Sequence, residues 1–233
     1  MLTTALALLT VTAPLDAQAF DGYKALLKEH VKRGRVDYDG LEKNSKDKLD
    51  KFVAAVAKAD LPQRKHHRIG FYIDAYNAIV LQSVLRHKKP RSVLDVKNFF
   101  KEKRHTVAGK KVSLDSLEKK VLTPYAKDPR THFVLVWAAV GCPVLEPRPF
   151  FESNVDKRMD KATRRYLASK FGARVKPGVL ELSQIFNWYK DDFGGPDGVR
   201  TFVLKHLPEK LQATATPEAM GTHFDYNWTL NRR

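Results

Sequence analysis

The sequence predicts a helix-rich α+β fold, a single domain with a small sheet built around one buried central strand and two hairpins. Three observations lead to this class. Apolar residues recur at helical spacing along much of the chain, two short segments carry turn dipeptides between apolar runs, and one central stretch is apolar without interruption. The 233 residues are 43% hydrophobic and 29% charged, which excludes disorder. No repeat or linker divides the chain, so residues 20–233 are expected to form one domain.

The first nineteen residues, MLTTALALLTVTAPLDAQA, have the pattern of a secretory signal peptide. An apolar run from Leu2 to Leu15 precedes the small-residue pattern Ala17-Gln18-Ala19, which predicts cleavage before Phe20. The run is shorter than the roughly 20 apolar residues that a membrane-spanning helix needs. We therefore expect an exported, periplasmic protein with no transmembrane segment after signal cleavage.

Helical periodicity predicts three helices in the first part of this domain. The first follows Phe20 to Val31, and the second follows Leu49 to Val56. A short linking helix is expected over Val93 to Phe100. The third and longest helix precedes this linking helix. It has Pro62 in its first turn and ends at Pro90. Its apolar residues form one stripe: Ile69, Ile73, Tyr76, Val80 and Val84.

The strands are predicted where the periodicity changes. A first hairpin is expected over His105 to Leu114, with its turn at Gly109. The most apolar segment, Thr131 to Val140, shows no alternation, which predicts a central strand buried on both faces. A second hairpin is expected around Pro177-Gly178, between Val175 and Leu182.

Shorter helices complete the prediction. One opens with Asp115 and Glu118, and another follows Val155 to Tyr166. Ser183 is placed to cap a helix from Gln184 to Phe193, and a last helix ends at His206.

Seven fragments, in this order, resemble the domain-of-unknown-function five-four-seven family. They are FYIDAYNAIVL (Phe71 to Leu81), SVLDV (Ser92 to Val96), VSLD (Val112 to Asp115) with Glu118, Asp128-Pro129-Arg130 with His132, Cys142-Pro143, LSQIFNWYKDDFGG (Leu182 to Gly195) and DYNWTLN (Asp225 to Asn231). The chain departs from the family pattern at Asp74, where such proteins usually have Asn, and at Gly141 and Val144. The resemblance implies a family found in exported bacterial proteins, and it implies no mechanism because the family's activity is not established.

Cys142 is the candidate nucleophile. It is the only cysteine, which excludes an intramolecular disulfide and zinc sites built on paired cysteines. It follows the predicted central strand, and loops at such positions often carry functional groups. The alternative is a small buried apolar residue, a common role of a free cysteine.

A catalytic cysteine needs a base, and His132 is the histidine that the resemblance favours. Ten steps of about 3.3 Å along a straight strand would separate His132 from Cys142 by roughly 33 Å, so a direct dyad requires a sharp bend at Ala139 to Gly141. Glu118 is expected to orient a histidine or to act as a general base; the alternative is charge stabilisation of a helix N-terminus. Histidines elsewhere are alternative bases: His87, His105 and His223.

Asp74 and Asn77 are polar residues on an otherwise apolar helix, so both need partners. They are candidate substrate-binding residues, and the alternative is that they make structural hydrogen bonds. No pair of His, Cys, Asp or Glu has a recognisable metal-ligand spacing, and no glycine-rich phosphate loop is present. Neither a metal nor a cofactor is therefore expected.

Basic residues outnumber acidic ones by 42 to 26, a formal net charge of +16. Ten of the basic residues lie between Arg86 and Lys111. This segment predicts an anion-binding surface, and the alternative is a solvated basic face. No nucleic-acid recognition motif accompanies it, so the expected partner is an anionic envelope component rather than nucleic acid. The candidate residues are Lys88, Lys89, Arg91, Lys101, Lys103 and Arg104.

Two functions from different classes follow. The first is a cysteine-dependent hydrolase or acyl-transferase acting on an envelope amide or ester, with Cys142 as nucleophile, His132 as base and Glu118 as orienting carboxylate. The second is a non-catalytic exported protein that binds anionic polymers or lipid headgroups through the basic segment.

Overall fold

The computed structural model describes residues 14–102, 104–151, 153–176, 179–212 and 220–233. Its α-helices are α1 (Ala17–His30), α2 (Tyr38–Asn44), α3 (Lys46–Lys58), α4 (Lys65–Arg86), α5 (Leu114–Ser116), α6 (Thr123–Ala126), α7 (Val155–Leu167), α8 (Gln184–Trp188), α9 (Gly195–His206) and α10 (Glu209–Gln212). A π-helical stretch spans Leu117–Leu122, and 3-10 turns span Val93–Asp95, Pro129–Phe133 and Lys190–Phe193. The strands are β1 (Val31–Lys32), β2 (Arg35–Val36), β3 (His105–Val107), β4 (Lys110–Val112), β5 (Ala173–Lys176), β6 (Val179–Ser183) and β7 (Met220–Phe224). The predicted helix-rich α+β class is confirmed.

The long helix α4 lies at the centre of the molecule. It packs against α3 and α7, while α1 packs against α3 and α9 packs against α7. Every residue of α4 from Ile69 to Leu81 is buried, so this helix has no solvent-facing stripe at its middle. The contact between α1 and α3 includes Tyr23 and Phe52, whose rings stack with centroids 4.0 Å apart.

The strand pairing of both predicted hairpins is confirmed, while the predicted turn residues Pro177-Gly178 lie outside the described residues. β3 and β4 pair antiparallel with His105 opposite Val112, and β5 and β6 pair antiparallel with Arg174 opposite Glu181. β7 adds to β6 in parallel and gives a three-stranded sheet in the order β5-β6-β7. The pairing of β7 with β6 places this C-terminal strand beside the second hairpin.

The predicted central strand over Thr131 to Val140 is wrong, although its burial was predicted correctly. The segment begins as the 3-10 turn Pro129–Phe133 and continues without regular structure, and Ala138 has a φ of 55° that interrupts any extended run. Buried backbone groups need partners, and here they find them outside a strand ladder. A long apolar run therefore predicted burial but not extension.

The backbone partners of this segment come from the C-terminal residues. The Val140 N–H donates to the Thr229 carbonyl at 2.8 Å, and the Asn231 N–H donates to the Ala138 carbonyl at 2.9 Å. These bonds place the last residues of the chain beside the segment that leads to Cys142. Residues far apart in sequence therefore meet around it.

Three helix boundaries differ from the prediction. α4 begins at Lys65 rather than at Pro62, whose carbonyl instead accepts a hydrogen bond from Arg68. The linking helix is limited to the 3-10 turn Val93–Asp95. The helix predicted over Gln184 to Phe193 is divided at Tyr189 into α8 and a 3-10 turn.

The predicted signal peptide falls largely on residues 1–13, which lie outside the described residues. α1 begins at Ala17, and Asp16 accepts a capping hydrogen bond from the Ala19 N–H at 2.6 Å. Export and the cleavage position stay predictions. Over the described part of the chain, no helix combines the length and the apolar character needed to cross a bilayer.

Candidate functional site

A cleft of about 900 Å³ opens beside the π-helical stretch Leu117–Leu122. Its walls carry Glu118 and Asp192 together with three indole rings, those of Trp137, Trp188 and Trp228. It is therefore lined by carboxylates and aromatic rings at the same place, a combination typical of small-molecule sites.

His132 lies directly behind Glu118 and Asp192, two of the carboxylates that line this cleft. Its side chain is fully buried, with Nε2 2.8 Å from Asp192 Oδ2 and Nδ1 3.7 Å from Glu118 Oε1. The ring of Tyr189 packs against the imidazole, with the two centroids 4.0 Å apart. One imidazole thus lies between two carboxylates.

Local structure explains how each of these side chains is positioned. Asp128 caps the 3-10 turn that carries His132, accepting from the Arg130 N–H at 2.9 Å. Glu118 lies on the π-helical stretch, a type of turn that is frequent at functional sites. Asp192 lies on the 3-10 turn that follows the break at Tyr189. A continuous helix over Gln184 to Phe193 would place this carboxylate differently.

Glu118 is buried and anchored by neutral donors. Its Oε2 accepts hydrogen bonds from the Tyr76 hydroxyl at 3.1 Å and from Trp137 Nε1 at 3.3 Å. Among the described residues, its Oε1 has no hydrogen-bond partner, and neither has His132 Nδ1, which faces it. These two buried atoms are held together by charge rather than by a short hydrogen bond.

The carboxylates determine the charge of His132. Burial alone would lower the pKa of this imidazole, but the interactions with Asp192 and Glu118 outweigh burial and raise the pKa above its usual value. The two carboxylates therefore stabilise the positive form of the ring. The predicted association of Glu118 with a histidine is present in the structure.

Cys142 lies elsewhere. Its Sγ accepts from the Trp137 N–H and from the Tyr226 hydroxyl, each at 3.1 Å, and no described histidine hydrogen-bonds to it. Burial raises the pKa of the thiol to about 11, more than the hydrogen-bond donors lower it. The direct dyad with His132 that the sequence predicted is not formed, because both nitrogens of His132 face carboxylates. A catalytic role for Cys142 stays a prediction.

Asp74 and Asn77 bind the chain's own backbone. Asp74 accepts from the Phe150 and Phe151 N–H groups at 2.8 and 2.7 Å, and Asn77 bridges the Val134 carbonyl and the Val136 N–H at 2.9 and 3.0 Å. Both are buried, and neither lines the cleft. Both therefore make structural hydrogen bonds, and a role of either residue in substrate binding stays a prediction.

The basic segment is only partly available to an anion. Lys89 pairs with Asp39 at 2.8 Å and also with Glu42, while Arg104 pairs with Glu102 at 2.7 Å. The other described candidates, Lys88, Arg91 and Lys101, are exposed. Lys101 also lines the cleft. Lys103 lies outside the described residues.

Sequence reasoning missed Asp192 and the three tryptophans as site residues. A usable signal was present, since the chain has only three tryptophans and two of them lie in the fragments that carried the family resemblance, NWYKDDF and DYNWT. Large aromatic residues beside Asp and Asn in loop-rich segments indicate binding more often than packing.

Within the described residues, no three His, Cys, Asp or Glu side chains are grouped in a way that could hold a metal ion. Comparison with curated proteins and with solved structures gives no match. The family model described as "Protein of unknown function, DUF547" matches residues 62–167, a span that holds Glu118, His132 and Cys142. The chain therefore carries a domain of the DUF547 family over residues 62–167.

Proposed function

We propose that this protein is a hydrolase of an amide or ester bond, with Asp192 as its acid–base group and His132 and Glu118 as the residues that position it. The observation that supports this function is the buried imidazole between two carboxylates at the wall of the cleft. Each buried ion costs several kcal/mol of desolvation, so such a cluster is a poor way to stabilise a fold. Titratable clusters of this kind in clefts are typical of catalytic sites.

Asp192 is the member of the cluster that can reach a substrate. Its side chain is 40% exposed, whereas the His132 side chain is fully buried. Oδ2 is occupied by His132, and Oδ1 has no hydrogen-bond partner in the described parts of the chain. Oδ1 can therefore accept the proton of a water molecule bound in the cleft.

The reaction follows from these roles. The water oxygen forms a bond to the carbonyl carbon while Asp192 takes the water proton. The bond from that carbon to the leaving nitrogen or oxygen then breaks, and Asp192 returns the proton to the leaving atom. Lys101 and Lys127 line the same cleft and supply positive charge for the developing oxyanion. Water takes the place of the Cys142 thiolate as nucleophile.

An esterase assay with 4-nitrophenyl acetate, followed by acetyl release from N-acetylated and O-acetylated substrates, tests this function. We expect Asp192→Asn to lower kcat by about 100-fold or more, the usual contribution of a general acid–base group. The matched control is Asp197→Asn, because Asp197 is exposed and outside the cleft. Since His132 is a positioning residue, His132→Gln is expected to shift the pH profile of kcat as well as lower it. An Asp192→Asn variant that keeps full kcat contradicts the proposal.

A second candidate function is binding of an anionic envelope component. The exposed side chains of Lys88, Arg91 and Lys101, which have no ion pair within the described residues, support it. Exposed charges are screened beyond about 8 Å at physiological salt, so binding to phosphatidylglycerol vesicles should weaken as salt rises. Charge reversal of these three residues should abolish binding, while reversal of three exposed lysines elsewhere should not; the control set is Lys28, Lys51 and Lys161.

A further inference from the structure

We infer that the cleft binds a neutral, hydroxyl-rich glycan whose sugar rings lie on a platform of two tryptophans, Trp188 and Trp228, with the buried Trp137 packed against both. The inference deepens the proposed function, on which it rests for the bond that is cut, by naming the class of molecule that carries this bond. Binding itself can be measured without any hydrolysis.

The first argument is the placement of the indole rings. All three tryptophans of the chain line this one cleft. Trp188 is 45% exposed and is the largest exposed apolar side chain among the described residues. Leaving an indole in water forgoes the free energy that burying apolar surface would gain, about 25 cal/mol per Å². An exposed aromatic surface inside a cleft therefore indicates a ligand that covers it.

The second argument is the geometry of the rings. Trp137 and Trp228 are stacked with centroids 6.0 Å apart and planes at 22°, and Trp188 and Trp228 with centroids 5.7 Å apart and planes at 29°. Trp137 and Trp188 are tilted at 49° and Trp137 is only 4% exposed, so the ring surface that a ligand can reach belongs to Trp188 and Trp228. These two nearly parallel rings form a platform, whereas a cage for a quaternary ammonium group surrounds the cation with ring faces. A platform suits the flat face of a pyranose, because the negative face of an indole attracts polarised C–H groups.

The third argument is the charge of the cleft. Its lining has three lysines, Lys101, Lys119 and Lys127, against five carboxylates: Asp115, Glu118, Asp128, Asp191 and Asp192. Single-stranded nucleic acid also stacks on aromatic rings, but it requires a positively charged groove for its phosphates. Carboxylates repel phosphates and uronates, and they accept hydrogen bonds from hydroxyl groups. A neutral glycan can stack its sugar rings on the indoles and donate hydrogen bonds from its hydroxyl groups to the carboxylates.

The test measures binding of four probes by calorimetry and by tryptophan fluorescence. The probes are a glucose hexamer, an N-acetylglucosamine hexamer, a galacturonate hexamer and a thymidylate hexamer. We expect at least one neutral hexamer to bind with a dissociation constant at or below about 1 mM, and to bind more tightly than either anionic probe. Trp188→Ala should weaken this binding at least tenfold. The matched control Leu94→Ala removes another exposed apolar side chain, outside the cleft, and should leave it unchanged.

Each other outcome overturns the inference. These outcomes are no binding of either neutral hexamer, tighter binding of an anionic hexamer, and neutral binding that survives Trp188→Ala. If Trp188→Ala does not fold, as judged by circular dichroism, Trp228→Ala replaces it and should weaken binding of the neutral hexamer at least tenfold. Separate measurements of binding and hydrolysis on the wild type distinguish the two proposals. Glycan binding without hydrolysis defeats the proposed function alone, and ester hydrolysis without glycan binding defeats this inference alone.

Discussion

Nε2 of His132 lies 2.8 Å from Oδ2 of Asp192, although 60 residues separate the two along the chain. His132 belongs to the span that matches the DUF547 family model, and Asp192 lies beyond it. The residues that line the cleft also come from both parts of the chain. Glu118 and Trp137 lie inside the matched span, and Trp188 and Trp228 lie outside it. The site is therefore completed by the C-terminal part of the chain.

The stability of the protein should depend on the protonation of His132. The pKa of this imidazole is raised above its usual value of about 6.5 by the two carboxylates, which outweigh burial. The folded state thus binds the proton more tightly than the unfolded state. The contribution is complete below about pH 6.5 and is lost as pH rises through the raised pKa.

Urea denaturation between about pH 6 and 9 measures this effect. We expect the free energy of unfolding to fall over this range in the wild type, and the fall to be smaller in His132→Gln. The exposed His66 provides the control His66→Gln, which should retain the wild-type dependence. Equal slopes in wild type and His132→Gln would contradict the assigned ion cluster.

Cys142 should react slowly. Burial raises the pKa of its thiol to about 11, and only the thiolate attacks iodoacetamide. Near neutral pH we expect alkylation of the native protein to be much slower than that of free cysteine, and the urea-unfolded protein to react at the free rate. Cys142→Ala should keep the hydrolase activity. Native labelling as fast as that of free cysteine, or loss of activity in a folded Cys142→Ala, would restore the thiolate mechanism.

Asp74→Asn should lower stability, most strongly in acid. Asp74 accepts from two backbone N–H groups, and an amide nitrogen cannot accept, so one donor loses its partner at a cost of about 1–3 kcal/mol. Burial raises the pKa of the Asp74 carboxyl to about 7, well above its value of about 3.9 in an unfolded chain. The folded state therefore favours the protonated acid, a contribution present below about pH 4 and lost as pH rises to 7.

The stability difference between wild type and Asp74→Asn should therefore shrink as pH rises from about 4 to 7. Chemical denaturation at several pH values measures it. The exposed Asp47 supplies the control Asp47→Asn, for which we expect little change at any pH. A difference that grows with pH would show that the Asp74 carboxyl is ionised in the folded protein.

Two glycine-to-alanine changes in helices should have opposite effects on stability. A Cβ at Gly70 of α4 would lie 2.9 Å from the Phe150 carbonyl oxygen, so the backbone around Phe150 must move. We expect Gly70→Ala to cost about 1–3 kcal/mol, as for other overpacked sites. At Gly22 of α1 the nearest atom would be Lys48 Cβ at 3.6 Å, an ordinary contact. Gly22→Ala should stabilise the protein by up to about 1 kcal/mol.

Thermal denaturation of both variants checks this pair. Because the two substitutions are chemically identical, helix propensity alone predicts the same sign for both. Stabilisation by Gly70→Ala would contradict the close approach of α4 to the backbone at Phe150.

Much of the fold was predictable because its signals are local. The apolar spacing of Phe20, Tyr23 and Leu27 indicates α1, and the turn at Gly109 indicates the β3–β4 hairpin. The segment Thr131 to Val140 shows the limit of such reasoning. Its composition predicts burial, but its conformation depends on a side chain from α4 and on the C-terminal backbone, which satisfy its hydrogen bonds.

The candidate site divides in the same way. The association of Glu118 with His132 was predicted, whereas the choice of Cys142 as the partner of His132 followed from the identity of the residues and not from their positions. Asp192 was missed because nothing near it in sequence indicates which histidine it meets.

By itself, the sequence of this protein determined its longer helices, two of its hairpins and the burial of its central segment, because neighbouring residues decide periodicity, capping and turns. Only the tertiary structure decided which buried polar groups pair. That pairing depends on how segments distant in the sequence pack against each other. A charge that this packing buries is stable only if the same packing places a partner beside it.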